Sequence, residues 1–548
     1  MLQTQSDTAL YGVPAASHGL RLSSGRVCAI LIAIATTLMA WHLCHYLAYA
    51  IKAIRYPFEL DYGEGIVWQQ AILIPGPRMY GDINHYPFIV FHYPPLYHLV
   101  VRGLALLGAN ILMAGRSVSV ASTLVLAAVV ASLSFQVSRD EAVRPAALAG
   151  AVVAGLSVFC YWPVVAWSPL FRVDMLATAL SFLGVWCAVR SADHPRLLYV
   201  ALIVFVLAVY TKQSSLAAPL ATVPIMLLTD RARTIKACVL GFSLALAALA
   251  VLMWLTHGNF LRHIILYNLN RYYLRTVFIA LAMQSWEIVF LALAVAGLCV
   301  GWRSLAAKGP FANLGGFGRH LRDNPSSLTR ATLILYFAMS TATLAMLGKS
   351  GGCVNYFIEW MCVWSPWIGY LTTILLQESP GAANLQSRLK WPVASFIMPV
   401  LLICQVLIMP SSAAAAFRLN DSERNEQLGQ LLAKVEQARR PVLSDDMVLL
   451  MKAGKTVPWE PAIFAELAAT GQWNDRLLTR LIANQVFAFV LTTGMPGQPL
   501  YDSRFDPAVS HAIAVAYPVE QSCAGMIVHV PSGRREAGKN DGCRFTWR

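Results

Sequence analysis

Pro94-Pro95-Leu96-Tyr97-His98-Leu99-Val100-Val101-Arg102-Gly103-Leu104-Ala105-Leu106-Leu107-Gly108-Ala109 is an apolar run that either crosses a membrane or lies on one, and every loop after it changes side with the answer. It opens on two prolines, carries His98 and Arg102, and ends after 16 residues. About 20 apolar residues are needed to cross a bilayer core ~30 Å thick, and ionisable side chains inside that core are costly. The run is therefore expected to be an interfacial helix lying on the membrane.

Composition sets the class within which that choice matters. Of 548 residues, 57% are hydrophobic and 13% charged, with 15 Trp and a mean hydropathy of +0.56. These values describe a polytopic membrane protein rather than several soluble domains. The net charge of +14 does not imply a nucleic-acid partner, because Lys and Arg fall in short clusters between apolar spans. The 11 Cys show no C-x-x-C spacing and sit mostly inside apolar runs, which argues against a thiolate metal site.

The first apolar run, Val27 to about Ala50, follows Arg21 and Arg26. It is too long for the core of a cleaved signal peptide and carries Trp41, His42 and His45, so it is expected to stay as the first span. Ten more spans are expected at 116–137, 145–166, 172–190, 197–211, 213–229, 236–256, 286–302, 331–348, 357–377 and 391–410. With 94–109 on the surface the total is eleven, and the loops 138–144, 190–196, 230–236, 303–330 and 378–390 fall on the N-terminal side with 14 Lys and Arg between them. The positive-inside rule makes that side cytoplasmic. The expected fold is an all-α polytopic membrane protein of about 11 transmembrane helices. Residues 1–410 form the membrane domain, with an outer loop 51–115, and 411–548 form a small extracytoplasmic α/β domain.

This parity collects the polar motifs on the outer face, as a single active site requires. Asp61-Tyr62-Gly63-Glu64-Gly65 places two carboxylates three residues apart where a helix begins, so one turn brings them together. Such a pair suits general-base work, although acids also cap helix N-termini. In His92-Tyr93-Pro94-Pro95-Leu96-Tyr97, His92 is a candidate for phosphate or hydroxyl contact, while Tyr93 and Tyr97 fit either substrate contact or an interfacial aromatic belt. Arg172, Lys212 and Lys349 are cations at the outer interface, able to neutralise a phosphate or to snorkel toward lipid headgroups. Asp174 opens a span beside Arg172. Asn355 and Glu359, four apart at the head of a span, share a helical face and either bind sugar hydroxyls or cap the helix. Gly348-Lys349-Ser350 is not a nucleotide-binding P-loop, since the position that must be glycine in that motif, 343, is Thr.

In the tail, Pro441–Ser444, Val486–Leu491 and Met526–Val530 read as strands and Ala462–Ala483 as helices. Asp445 and Asp446 follow a strand end, where either a ligand contact or a cap fits. In an oxidising compartment Cys523 and Cys543 are candidates to pair.

The order of these motifs resembles the integral-membrane glycosyltransferases of the GT-C fold, in the bacterial branch related to protein O-mannosyltransferases and to the enzymes that transfer aminoarabinose to lipid A. The resemblance covers roughly residues 51–360 and is carried mainly by Asp61 to Gly65 and His92 to Tyr97. It implies a multi-pass protein of the bacterial inner membrane, with a cytoplasmic N-terminus, that transfers a sugar from a polyprenyl-phosphate donor to an acceptor hydroxyl on a lipid, glycan or protein, with inversion. It further implies that the first-loop acid is the base, and that His92, Arg172, Lys212 and Lys349 meet the donor phosphate. Many relatives have adjacent Asp-Glu, whereas Tyr62-Gly63 intervenes here, so Asp61 and Glu64 share the catalytic assignment with Asp61 slightly ahead. The family leaves a divalent metal open. The alternatives are a lipid or solute transporter and a polymerase or ligase of lipid-linked glycans. A transporter places ionisable residues near the bilayer midplane, and no expected span carries an acid near its centre.

Overall fold

The computed structural model describes residues 24–308, 313–377, 391–410, 419–532 and 543. Arg21, Arg388 and Lys390, used above to assign sidedness, lie outside the described residues.

The stretch that decides the parity forms the helix Leu96–Leu106. At 1.5 Å per residue its 11 residues reach about 17 Å, little more than half a bilayer core. Tyr97, His98 and Val101 turn inward, while Leu99, Val100, Leu104 and Leu106 are exposed. Its flanks return to one place. Arg116, near the start of the helix Ile111–Ser138, donates to the backbone carbonyls of Ala53 and Tyr56 at the end of the helix Ser24–Arg55. The intervening segment thus leaves and re-enters the helical bundle at the same end.

Among the described residues, five helices are long and apolar enough to cross a membrane by length and composition: Gly25–Arg55, Ile111–Ser138, Arg231–Leu255, Ser285–Lys308 and Pro325–Gly348. Shorter apolar helices, such as Leu197–Thr211 and Ala217–Thr229, pack among them. The expected span 145–166 is broken. Helix Arg144–Ser157 tightens into a 3-10 turn at Val158–Cys160, the chain extends at Tyr161, and a short helix restarts at Trp162–Trp167 with Pro163 in its first turn. Proline supplies no donor and favours a helix start. The freed Trp162 N–H donates to the Glu287 carboxylate at 2.9 Å.

Two sets of connections cluster at the two ends of these helices. At one end, Glu141 accepts from Arg330 and Lys308, Arg139 pairs with Asp193, and Arg322 donates to the Thr229 carbonyl. These are the basic loops. At the other end, the segments around residues 60, 92, 172, 212, 268 and 350 meet one another and the tail domain.

The tail carries a four-stranded sheet in the order β1-β2-β4-β3, with β1 Leu443–Ser444, β2 Val490–Thr492, β3 Val519–Cys523 and β4 Met526–Val530. β1 and β2 are parallel, and the other pairs are antiparallel. The three strands read from sequence are present. β3, an edge strand with polar Glu520, Gln521 and Ser522, was not expected, because its sequence lacks the apolar alternation that marks a strand. The helices Pro461–Ala469 and Arg476–Ala483 occupy the expected helical region, the first starting one residue before it, and Cys523 is bonded to Cys543.

The tail does not hang free. Tyr56 and Phe58 belong to a core with Leu428, Met447 and Leu449, and Ile83, Phe88 and Val90 to another with Trp459 and Phe464. The outer loop and the tail domain therefore bury their apolar faces against each other.

Candidate active site

The segment Asp61 to Gly65 is the hinge of this assembly, and each of its residues has a separate contact. Glu64 is completely buried and forms an ion pair with buried Arg116, with N···O distances of 2.8 and 2.7 Å. The same guanidinium donates to the carbonyls of Ala53, Tyr56 and Phe58, so its five N–H groups meet five acceptors. Glu64 also accepts from the backbone N–H groups of Leu60 and Phe171. A carboxylate engaged on both oxygens, by charge and by amides, and sealed from solvent is closed to a substrate proton. Sequence spacing placed Glu64 beside Asp61 as a second catalytic acid. Arg116, 52 residues away, engages that carboxylate instead.

Asp61 faces the other way. Its side chain is 24% exposed, its Oδ2 lies 3.5 Å from Arg172 Nη1 and accepts from the Gly63 N–H, and its Oδ1 takes no hydrogen bond from the described residues. Arg172 in turn lies over Trp167, 5.1 Å from the ring centroid. Two glycines make these approaches feasible. A Cβ on Gly63 would fall within the Arg172 guanidinium, and one on Gly65 would collide with Met447 and the Val448 backbone of the tail domain. Tyr62 completes the hinge. Its hydroxyl accepts from Ala462 N–H at 2.9 Å, and its ring lies under Arg504, which is paired with Asp445.

Behind Arg172 a cavity of about 770 Å³ opens between the outer loops and the tail domain. Six residues singled out in sequence line it: His92, Tyr93, Arg172, Lys212, Lys349 and Asn355. Asp174, 2% exposed, ties three of the motifs into one clamp. It accepts from Lys212 Nζ at 2.7 Å, from Asn355 Nδ2 at 2.8 Å and from Trp167 Nε1 at 2.8 Å. Lys212 also lies 4.8 Å from the centre of the Tyr356 ring. Asn355 and Asp174, 181 positions apart, are thereby brought within one hydrogen-bond shell with Lys212 and Trp167.

The charge state of the wall follows from its surroundings. Burial, with Lys349, His263 and Arg172 nearby, lowers the His92 pKa to about 3, so its ring is neutral and can contribute only a hydrogen bond. Burial and the charge on Lys212 lower Lys349 to about 8. Lys349 forms no ion pair among the described residues, and its Nζ reaches only Asn268 Oδ1, at 3.4 Å. It is therefore the cation of the wall most in need of an anion.

Asp61, Glu64, Tyr97, Asp174 and Glu359 do not line this cavity. Tyr97 is buried, with its hydroxyl on the Gly115 carbonyl and Ser119. Glu359 accepts from Tyr336 at 2.7 Å and borders a smaller adjoining space with Lys212 and Asn355. Sequence reading missed Arg116 and the tail's share in the wall. Glu466 and Ser503 line the cavity, and Glu466 is clasped by Arg271 at 3.0 Å and by Ser350 at 3.0 Å. Nothing in the spacing of Glu466 marks it out, because its partners come from two distant loops. As to metal, no group of three or more His, Cys, Asp and Glu side chains gathers among the described residues, and the cation beside Asp61 is the Arg172 guanidinium.

No family model matches the chain, and no curated protein sequence does. Among solved structures it is similar to ArnT from Cupriavidus metallidurans in the apo state, with a TM-score of 0.53 and 12% identity over 89% of this chain and 97% of that one. The same protein bound to undecaprenyl phosphate gives a TM-score of 0.52 at 12% identity, covering 90% and 98%. The archaeal oligosaccharyltransferase AglB from Archaeoglobus fulgidus, in complex with an inhibitory peptide and a dolichol-phosphate, gives 0.40 at 10% identity, covering 90% and 74%. At such identities the likeness to ArnT speaks to fold, and the fold is GT-C.

Proposed function

We propose that this chain is a membrane glycosyltransferase that moves a sugar from a polyprenyl-phosphate donor to an acceptor hydroxyl at the outer face of a bacterial inner membrane. The observation that carries the reading is the cavity itself, lined by Arg172, Lys212, Lys349 and neutral His92, with the part-exposed carboxylate of Asp61 outside the lining and 3.5 Å from Arg172. The GT-C fold, and the undecaprenyl phosphate bound by ArnT, support it. The acceptor oxygen attacks the anomeric carbon and its proton passes to Asp61. The bond from that carbon to the phosphate oxygen breaks, and polyprenyl phosphate leaves with the electron pair, its charge met by the three cations. Attack opposite the leaving group inverts the anomeric centre. Arg172, paired to Asp61 on one side and lining the cavity on the other, orients the base. Tyr93 on the wall, and Asp174 through Lys212 and Asn355, position the donor.

Eleven spans with a cytoplasmic N-terminus put the cavity and the tail domain outside, a reading supported by the basic loops gathering at the opposite end of the bundle. His194→Cys and Asn474→Cys test it. In intact cells an impermeant thiol reagent should label position 474 and not 194, and labelling at 194 overturns the orientation. For the chemistry, membranes are supplied with labelled polyprenyl-phosphate sugar. Asp61→Asn should lower transfer by about 10²- to 10⁴-fold while the protein remains folded, the range expected for loss of a general base. Normal transfer by Asp61→Asn rules out its role as base.

A further inference from the structure

Two side-chain amides on the cavity wall are held by their nitrogens and left with bare oxygens. Gln213 follows Lys212, and its Nε2 donates to the backbone carbonyls of His92 at 2.9 Å and Ile264 at 3.3 Å. Asn355 is 9% exposed, and its Nδ2 donates to the Asp174 oxygen that also accepts from Lys212. Carbonyls and a carboxylate can only accept, so these contacts fix which end of each amide faces them. The opposite ends, Gln213 Oε1 and Asn355 Oδ1, are both buried and without a hydrogen-bond partner among the described residues. Buried acceptors are costly to leave unpaired, and here both residues line one cavity.

The chemistry of the missing partner follows. An amide oxygen repels a phosphate oxygen and accepts from O–H or N–H, so this part of the wall is not made for the charged group that Lys212 and Lys349 attract. It is nonetheless next to it, because Asn355 and Lys212 share one oxygen of Asp174. We propose that Gln213 Oε1 and Asn355 Oδ1 form a subsite that accepts hydrogen bonds from the hydroxyl groups of the sugar on the donor, immediately beside its phosphate. This rests on the glycosyltransferase reading and names the part of the donor that the wall selects.

The test measures binding to the full-length protein in detergent, without acceptor. The probes are undecaprenyl phosphate and its glucosyl, mannosyl and arabinosyl phosphodiesters. At least one sugar-bearing lipid should bind about tenfold or more tightly than the bare lipid, since a site built to pair with hydroxyls discriminates against a ligand lacking them. Gln213→Met should erase about tenfold of that preference and leave the affinity for bare undecaprenyl phosphate unchanged, which also reports that the variant is folded, and Asn355→Leu, which also takes a donor from Asp174, should weaken the sugar-bearing lipids about tenfold more than the bare one. Equal loss for bare and sugar-bearing lipids overturns the subsite, since the amides are then structural. Unchanged donor binding with a raised acceptor KM also overturns it, by assigning the oxygens to the acceptor. In the wild-type protein, deoxy analogues of the tightest-binding donor should lose about tenfold at one hydroxyl or more, and no loss at any position overturns the inference independently of the variants. If bare undecaprenyl phosphate itself fails to bind, the polyprenyl-phosphate reading falls, and this inference with it.

Discussion

Two arginine–carboxylate pairs spring from the same five residues and end in opposite conditions. Glu64 and Arg116 are sealed, with both side chains at 0% exposure and every guanidinium N–H taken. Asp61 and Arg172 are open, 24% and 16% exposed at 3.5 Å, with a carboxylate oxygen to spare and a cavity at the guanidinium. Residue type and spacing do not distinguish them. What separates the two pairs is how many of their hydrogen-bonding valences the protein has already filled.

The sharpest way to break this comparison is to unbalance the sealed pair. Glu64→Gln leaves the Arg116 charge buried without its counter-charge, which costs about 3–5 kcal/mol. Loss of most folded protein in detergent, seen by size-exclusion chromatography and a thermal melt, is the expected result. A double variant, Glu64→Gln with Arg116→Met, should regain only part of that stability, because the carbonyls of Ala53, Tyr56 and Phe58 lose their donor. If Glu64→Gln instead folds with wild-type stability and fails only in transfer, the two pairs have exchanged roles.

Gly63 offers a smaller and cleaner perturbation of the open pair. Its φ of −80° suits any residue, so alanine there strains nothing locally, yet the added Cβ occupies the position of the Arg172 guanidinium. The end of a long side chain can move aside. Gly63→Ala should therefore fold normally and lower transfer by about 10- to 100-fold through misplacement of Arg172 and Asp61, with no polar group removed. Gly65→Ala meets backbone at Val448 instead, and its effect should appear as loss of stability. Reversal of those two outcomes would show that the open pair is structural.

Much of this was legible in the sequence where a single physical rule governs. The run beginning at Pro94 was brief and polar, and the helix it forms, Leu96–Leu106, is short. Arg172, Lys212, Lys349 and Asn355 were each unremarkable alone, and only the parity of spans put them together. Contacts set by tertiary choice were hidden. Arg116 stood at the head of an apolar span like any snorkelling cation, and its match to Glu64 rather than Asp61 depends on which turn of Glu64–Leu73 faces inward. The break before Trp162 was signalled by Pro163 but masked by continuous hydrophobicity. The tail's hold on the cavity through Glu466 and Tyr62 needs the packing of two cores, for which no local pattern exists.

Lys349 extends the comparison to its limit, as the wall cation with no ion pair among the described residues, the Glu466 carboxylate acting on it only at a distance. Its pKa is lowered to about 8 by burial and by Lys212, so below that pH it is charged and above it neutral. A bound phosphate favours the charged form and raises the pKa, so by linkage affinity is greatest below about pH 8 and is lost as pH rises through it. Arg172 and Lys212 keep their carboxylates and hold the remaining affinity. Undecaprenyl phosphate should accordingly bind roughly tenfold more weakly at pH 9.5 than at pH 7, while Lys349→Met binds at pH 7 as weakly as the wild type does at pH 9.5 and shows little further change. A flat wild-type profile across that range would mean that the phosphate sits on the paired cations alone, and that an unfilled valence at this site does not mark the group that meets the ligand.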